Sequence, residues 1–505
     1  MKGFIFPPDF TSRKLLRSWT KHYVVRKGRR TQQSRILLDT FDGRLFRRGY
    51  LLLKSGGTFA LTAVAKADGE LHHICATRKT IRFSRDLPAG ILKNKLGPIT
   101  ENRALLAKAR WQEEQFGVVV LNRRKQILAR GQLVEFHFGK RRLLLLTFTG
   151  ERGQSRPLQE LFRLIKEWGG AEFNRSPFLQ LLNLLQIKLD VYAPKRTLRL
   201  HPQWPVYRSL SVILKHQLAV MKQNERGVRQ DWDVEFLHDF RVALRRTRSL
   251  FSQFKKAFPQ MILQKAQTDL SRLSEQTNHL RDLDVQLSRR ALYGKLLPAA
   301  LHPGLEKLYK AIARERQQEL AIVLKALNGV IWRRIKKEWP TLLASEASAS
   351  WSNQAMAAMP TKTLVCRLVM KKFKQMQKME QEDWRTAADE TLHRLRIEGK
   401  KLRYLLEFFA SLFPWHELNQ ILEELKNLQD HLGRLNDLAV QQEKLLSHLK
   451  PDTPRLHHPQ TTAAIGALVA VLHQEQTQLR DSLPAALERF FDSEHKKLYK
   501  KISSV

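Results

Sequence analysis

A chain of 505 residues with 89 Lys and Arg against 48 Asp and Glu carries a net charge of +41. That excess is far beyond what solubility needs and points to an anionic partner: nucleic acid, polyphosphate or an acidic membrane surface. Two distant cysteines, Cys75 and Cys366, argue against a disulfide framework or a cysteine metal site and for a reducing compartment. The run Ala463 to Leu472 is too short to span a bilayer, and Met1 to Pro8 contains no apolar signal-peptide core. No membrane partner is therefore expected, and the cytoplasm is the expected location.

In chain order, residues 1–35 are rich in Arg and Lys, with Arg26, Lys27, Arg29 and Arg30 clustered. They read as a flexible arm or a basic edge strand. From Arg35 to about Phe148 the texture is that of strands. Short apolar runs (Ile36 to Leu38, Tyr50 to Leu53, Val118 to Leu121, Leu133 to Phe138, Leu143 to Phe148) alternate with turn signals such as Asp42-Gly43 and Gly56-Gly57. Leu158 to Trp168 has helical periodicity, and a short Leu-rich helix follows at Phe178 to Leu185. The proline-rich piece Tyr192 to Pro205 is the expected boundary between a first domain, 1–190, and a second, 205–500. Residues 1–200 hold 40 basic and 15 acidic side chains, so the first domain is basic in bulk.

The second domain reads as all helix: Tyr207 to Asn224, Asp233 to Phe258, Met261 to Arg290 and Leu305 to Lys337. After a small-residue linker, Ala344 to Met359, come Thr363 to Glu382, Glu390 to Phe413, Leu418 to Leu449 and Thr461 to Phe491. The second helix of each set repeats at an offset of 155 residues. Glu235, Leu237, His238, Arg241, Arg245, Arg246 and Arg248 fall on Glu390, Leu392, His393, Arg396, Lys400, Lys401 and Arg403. Phe254, Phe258 and Pro259 fall on Phe409, Phe413 and Pro414. The third helices repeat as well: His279 matches His431, and Arg281 and Asp284 match Arg434 and Asp437. The pattern predicts a duplicated four-helix unit, with repeats at about 207–340 and 360–495.

At about 100° per residue, a His and the positions three, seven and ten beyond it share an arc of roughly 80°. His238, Arg241, Arg245 and Arg248 therefore form one stripe, and His393, Arg396, Lys400 and Arg403 another, with Arg246 and Lys401 beside them. Leu237, Phe240, Leu244, Phe251, Phe254 and Phe258 gather on a different face, expected as core. Few acids lie along the stripes, so repulsion is left for a bound polyanion to neutralise.

These segments resemble the CHAD family, the conserved histidine α-helical domain. Its hallmark His-x-x-Arg-[Val/Ile]-x-x-[Arg/Lys]-[Arg/Lys]-x-Arg runs here from His238 to Arg248 and from His393 to Arg403. The Arg281 to Asp284 segment is also similar. The resemblance implies two four-helix bundles about a basic channel, binding of inorganic polyphosphate without catalysis, and association with polyphosphate granules. The implied contacts are His238, Arg241, Arg245, Arg246, Arg248, Arg281, His393, Arg396, Lys400, Lys401, Arg403 and Arg434.

The first domain resembles a degenerate CYTH domain, an antiparallel β tunnel that handles triphosphates. Leu38-Asp39-Thr40-Phe41-Asp42-Gly43-Arg44-Leu45 is similar to its second strand. Val134 to Phe136, Leu143 to Phe148 and the helix at Leu158 to Trp168 are similar to its closing elements. The family's opening Glu-x-Glu-x-Lys is missing, since Asp9 is the only acid before Asp39. Mg²⁺-assisted hydrolysis needs clustered carboxylates, so no catalytic residue, metal or cofactor is expected. Arg44, Arg47, Arg48 and Lys54 remain candidate phosphate contacts. Two alternatives stay open: an inorganic triphosphatase built on the first domain, and a nonspecific nucleic-acid binder. The scarcity of aromatic residues between the cations disfavours single-stranded nucleic acid, which needs stacking platforms.

Overall fold

Alternating apolar and polar residues put strands where the runs predict them, and an antiparallel sheet follows. In the computed structural model the chain is described except for residues 1, 9, 65–70, 151–154, 174–176, 185, 190–191, 345–348, 380–383, 385–386, 450–457 and 504–505. Asp9, residues 345–348 of the 344–359 linker and the expected helix ends at Leu185 and Glu382 lie outside the described residues. The chain forms two compact units, 1–193 and 194–505.

The first unit is a ten-stranded sheet in the order β10-β1-β9-β8-β7-β3-β4-β5-β6, with β2 also on β7. The strands are β1 Lys2–Ile5, β2 Val24–Lys27, β3 Thr31–Asp39, β4 Tyr50–Ser55, β5 Thr58–Ala63, β6 Leu71–Ala76, β7 Leu106–Leu121, β8 Ile127–Phe138, β9 Arg141–Gly150 and β10 Ala171–Phe173. Every pairing is antiparallel, compatible with a CYTH-like tunnel. One face is covered by helices Ser12–Trp19 and Ser155–Glu167, over Phe116, Val118, Leu133 and Phe148. Helix Pro177–Leu184 covers Leu37, Trp111, Phe136 and Leu143. Gly56 takes φ +55° to turn β4 into β5, a backbone state that only glycine enters without strain.

The basic N-terminal stretch is not a free arm. Thr11 accepts the Lys14 amide through its hydroxyl at 3.3 Å and starts the helix Ser12–Trp19, whose Leu15, Leu16 and Trp19 are buried. Apolar residues one helical turn apart outweigh the surrounding charge, because a helix needs only one greasy face. Only β2 meets the edge-strand expectation.

The second unit is all helix, and several expected helices are broken. The segment Leu305 to Lys337 is two helices, His302–Asn328 and Val330–Leu342, parted by an extended Gly329. The segment Thr461 to Phe491 becomes Pro459–Asp481 and Leu483–Phe490, followed by a further helix Ser493–Ser503. Pro484 sits at the start of the second piece, where its missing N–H costs nothing. The third helix, Gln260–Ser288, is followed by Arg290–Leu296.

The repeated helices are Val234–Gln253 and Asp389–Phe408. Each stops five residues before the expected Phe258 or Phe413 and adds one 3₁₀ turn, Lys255–Ala257 or Ala410–Leu412, before its proline. The turning residues, Phe254 and Phe409, bring their rings to 5.6 Å. All six aromatic and leucine residues assigned to the core face of the first copy are buried. Helices of the two halves share one core: Leu305, Leu308 and Tyr309 pack with Leu438, Leu445, Ile465 and Leu468.

Candidate functional site: a cationic cavity between the repeated helices

Asp233 opens the first repeated helix, its carboxylate accepting the Glu235 amide at 2.9 Å. The second opens with Asp389 and Glu390 in its first turn, acids placed where the helix dipole favours them. The two helices pack against each other. Between them and the helix Gln260–Ser288 is a cavity of about 560 Å³, lined among others by Arg245, Arg248, Lys400, Lys401 and Tyr404. Gln267 and Ser271 face it from the third helix.

The stripe cations divide into two groups. Arg245 Nε donates to the Tyr404 hydroxyl at 2.9 Å, and Arg248 donates to the Ser274 hydroxyl at 3.1 Å. Arg241 donates to the Ser274 carbonyl at 3.0 Å, to Thr277 Oγ1 at 2.7 Å and to the Asn278 side-chain oxygen. These partners are neutral. Among the described residues no carboxylate pairs with Arg241, Arg245, Arg248 or Lys400. Burial, reinforced by Arg245, Arg281 and Arg248 and opposed by Asp282, pushes Arg241 down to about 10. It stays charged at neutral pH. Burial, then Arg396 and Arg245, pushes Lys400 down to about 7.

The other group is tied to acids. Arg246 is buried and donates to Glu407 at 2.6 Å, its guanidinium lying over the Phe408 ring at 4.4 Å. Arg403 donates to the same Glu407 at 2.7 Å. Lys401 donates to Glu398 at 2.6 Å, and Lys372 shares that carboxylate at 2.7 Å. Arg434 pairs with Glu475 at 2.8 Å. Arg396 lies 3.7 Å from the half-exposed Asp437, and burial lowers its pKa. The expectation that few acids serve the stripes thus fails for Arg396 and Arg403 on the second stripe, and for Arg246 and Lys401 beside the stripes. Glu398 and Glu407 are the residues it missed. Their signal was in the sequence: Glu398 precedes Lys401 by three residues and Glu407 follows Arg403 by four, the spacings at which helical side chains meet.

Of the candidate contacts, Arg245, Arg248, Lys400 and Lys401 line the cavity; Arg241, Arg246, Arg396, Arg403 and Arg434 stand outside its lining, as do the two stripe histidines and Arg281. His238 is half-buried near the start of its helix. His393 bonds Asn436 at 2.9 Å and borders a separate cavity of about 460 Å³. Arg281 reaches the Val234 carbonyl at 3.5 Å. Matched residues of the third helices are used differently. Asp284 is buried against Arg316 at 2.9 Å, whereas Asp437 faces the cations.

In the sheet unit, the segment Leu38 to Leu45 builds a turn. The Asp39 carboxylate accepts the amides of Thr40 at 2.6 Å and of Leu45 and Phe46 at 3.0 Å. Its cations are largely engaged. Arg44 donates to Asp42 at 2.9 Å and Glu101 at 2.8 Å, Arg47 donates to the Tyr192 carbonyl at 2.6 Å, and Lys54 lies 5.3 Å from the centre of the Phe59 ring. Arg48 is exposed. Glu113 accepts hydrogen bonds from Arg35 at 2.9 Å and from the Trp111 indole N–H at 2.8 Å.

The model of the CHAD domain matches residues 212–446, a span that includes both stripes and both third helices. Two solved structures are similar. One is the CHAD domain from the plant Ricinus communis, at 25% identity and a TM-score of 0.47, over 58% of this chain and 95% of that one. The other is PptA from Streptomyces chartreusis, at 16% identity and a TM-score of 0.45, over 56% of this chain and 100% of that one. No curated protein matches the chain. Among the described residues no helix is long and apolar enough to cross a membrane.

Proposed function

The helical unit of this chain belongs to the CHAD family, and from that premise we propose that it binds inorganic polyphosphate, without catalysis, in the cavity between the repeated helices. The observation that carries this reading is the cluster Arg241, Arg245, Arg248 and Lys400, four cations from two helices with no carboxylate paired to them among the described residues. Phosphate oxygens only accept hydrogen bonds, and these cations offer only donors, so the two suit each other in charge and in hydrogen-bonding sense. The rings beside the cations are buried: Phe251 is 2% exposed and Tyr404 9%. That favours a ligand without bases to stack. Association with polyphosphate granules belongs to the same proposal.

The test is competition on immobilised full-length protein at moderate salt. Long-chain polyphosphate is bound, then challenged with tripolyphosphate, duplex DNA and RNA at equal phosphate. Polyphosphate is expected to resist displacement by orders of magnitude, and Arg245→Gln with Lys400→Gln to lose most of the binding while circular dichroism stays unchanged. Equal competition by nucleic acid, with a steep fall of affinity in salt, would instead assign the charge to nonspecific backbone binding.

A second reading, metal-assisted triphosphate hydrolysis by the sheet unit, draws on Glu114, Glu135 and His137, whose ligand atoms lie within 4.8 Å of one another. These residues already have partners. Glu114 accepts Arg30 at 2.7 Å, and Glu135 accepts the Ser12 amide at 3.4 Å at the start of a helix. They fit a role in holding that helix and the β2–β3 edge better than a divalent ion. Phosphate release from tripolyphosphate with Mg²⁺ separates the two readings, and none is expected.

A further inference from the structure

Resting on the polyphosphate reading above, we propose that Lys400 couples the grip to protonation: capture of the polyanion draws a proton onto Lys400, so binding tightens as pH falls and weakens as it rises through neutrality. Lys400 is half-buried on the helix Asp389–Phe408 and lines the cavity. Its own helix presents Arg396, Arg403, Lys401 and Tyr404 around it, with His393 two turns back. The helix Val234–Gln253 presents Arg241, Arg245 and Arg248. From the helix Trp415–Ser447 comes Asp437, an acid shared with Arg396 at 3.7 Å and Arg289 at 3.9 Å and itself 51% exposed. On the helix Gln260–Ser288, Asp282 is taken by Lys444 at 2.6 Å.

Of the unpaired cations in this cluster only the lysine readily sheds its proton, because a guanidinium does not do so in the accessible range. Repulsion in the empty cavity is therefore relieved at one place. Burial and the neighbouring guanidiniums hold Lys400 at about 7. A phosphate chain reverses both pressures: its charge offsets the arginines, and its oxygens accept from the ammonium. The bound state then holds one proton more than the free state, and linkage fixes the sign. Affinity should be flat below about pH 6 and fall by up to about tenfold per pH unit above 7.

The experiment is calorimetric titration of the full chain with long-chain polyphosphate, whose few ends keep its own titration small. It is run at pH 6, 7 and 8, each in two buffers of different ionisation enthalpy. The wild type is expected to take up close to one proton per site at pH 8 and almost none at pH 6. Lys400→Arg, charged throughout, should bind with a flat pH profile and lose that uptake. Lys400→Met should also lose it, with weaker binding. The stripe histidines, His238 and His393, are unchanged in these variants, so any share they take persists. Binding with no proton uptake at pH 8, or equal uptake in wild type and Lys400→Arg, overturns the coupling and leaves polyphosphate binding standing. No binding at any pH overturns the polyphosphate reading itself.

Discussion

Glu407 stands between Arg246 and Arg403, and its carboxylate lets a buried guanidinium sit beside an otherwise cationic helix pair. Removing one partner of a buried ion pair leaves the other charge uncompensated, which costs several kcal/mol. Glu407→Ala is expected to destabilise the helical unit by about 3 kcal/mol, read from urea unfolding; a loss below about 1 kcal/mol would mean that Arg246 finds another acceptor. Lys400 acts in the opposite sense. Its folded-state pKa lies below that of an ordinary lysine, so between about pH 7 and 10 the unfolded chain binds more protons than the folded one. Stability of the free protein should rise with pH across that window, and the cost of burying the ammonium is fully present below it. Lys400→Met should flatten that rise and be the more stable protein at pH 6; thermal melts at pH 6 and 9 decide. The stripes themselves were legible from spacing alone. Which cations carry a carboxylate was less so, because Arg246 is claimed by an acid 161 residues away.

Helix type and face were readable wherever the period was strong, and boundaries were lost where one residue overrode the pattern. Gly329 divides an apolar repeat that otherwise continues, and Phe254 and Phe409 leave the helix to meet each other. The helix Ser12–Trp19 was missed because cations hid its three buried apolar residues. Element packing also makes a demand that composition does not show. A Cβ on Gly304 would lie 2.0 Å from the Gln460 carbonyl oxygen, where the helix starting at His302 crosses the one starting at Pro459. Neither backbone can yield cheaply. Gly304→Ala is expected to cost about 1–3 kcal/mol in denaturant unfolding. A neutral outcome would mean that the crossing is looser than it stands here.

At the scale of the whole molecule, each unit has its own cores. Residues 194–505 expressed alone should keep their helical signal and the polyphosphate affinity of the full chain within a few-fold. A folded fragment that no longer binds would place part of the site on the sheet unit. The sequence by itself determined a basic chain with a strand-rich front, a helical remainder and two matched cationic stripes, because charge, periodicity and repetition are local properties. Only the tertiary structure decided that Arg246 and Arg434 are spent on distant acids, and that Arg245, Arg248 and Lys400 face a cavity with no carboxylate paired to them among the described residues. Pairing depends on helices brought together from distant parts of the chain: Arg245 meets Tyr404 across 159 residues, and no local pattern encodes that distance.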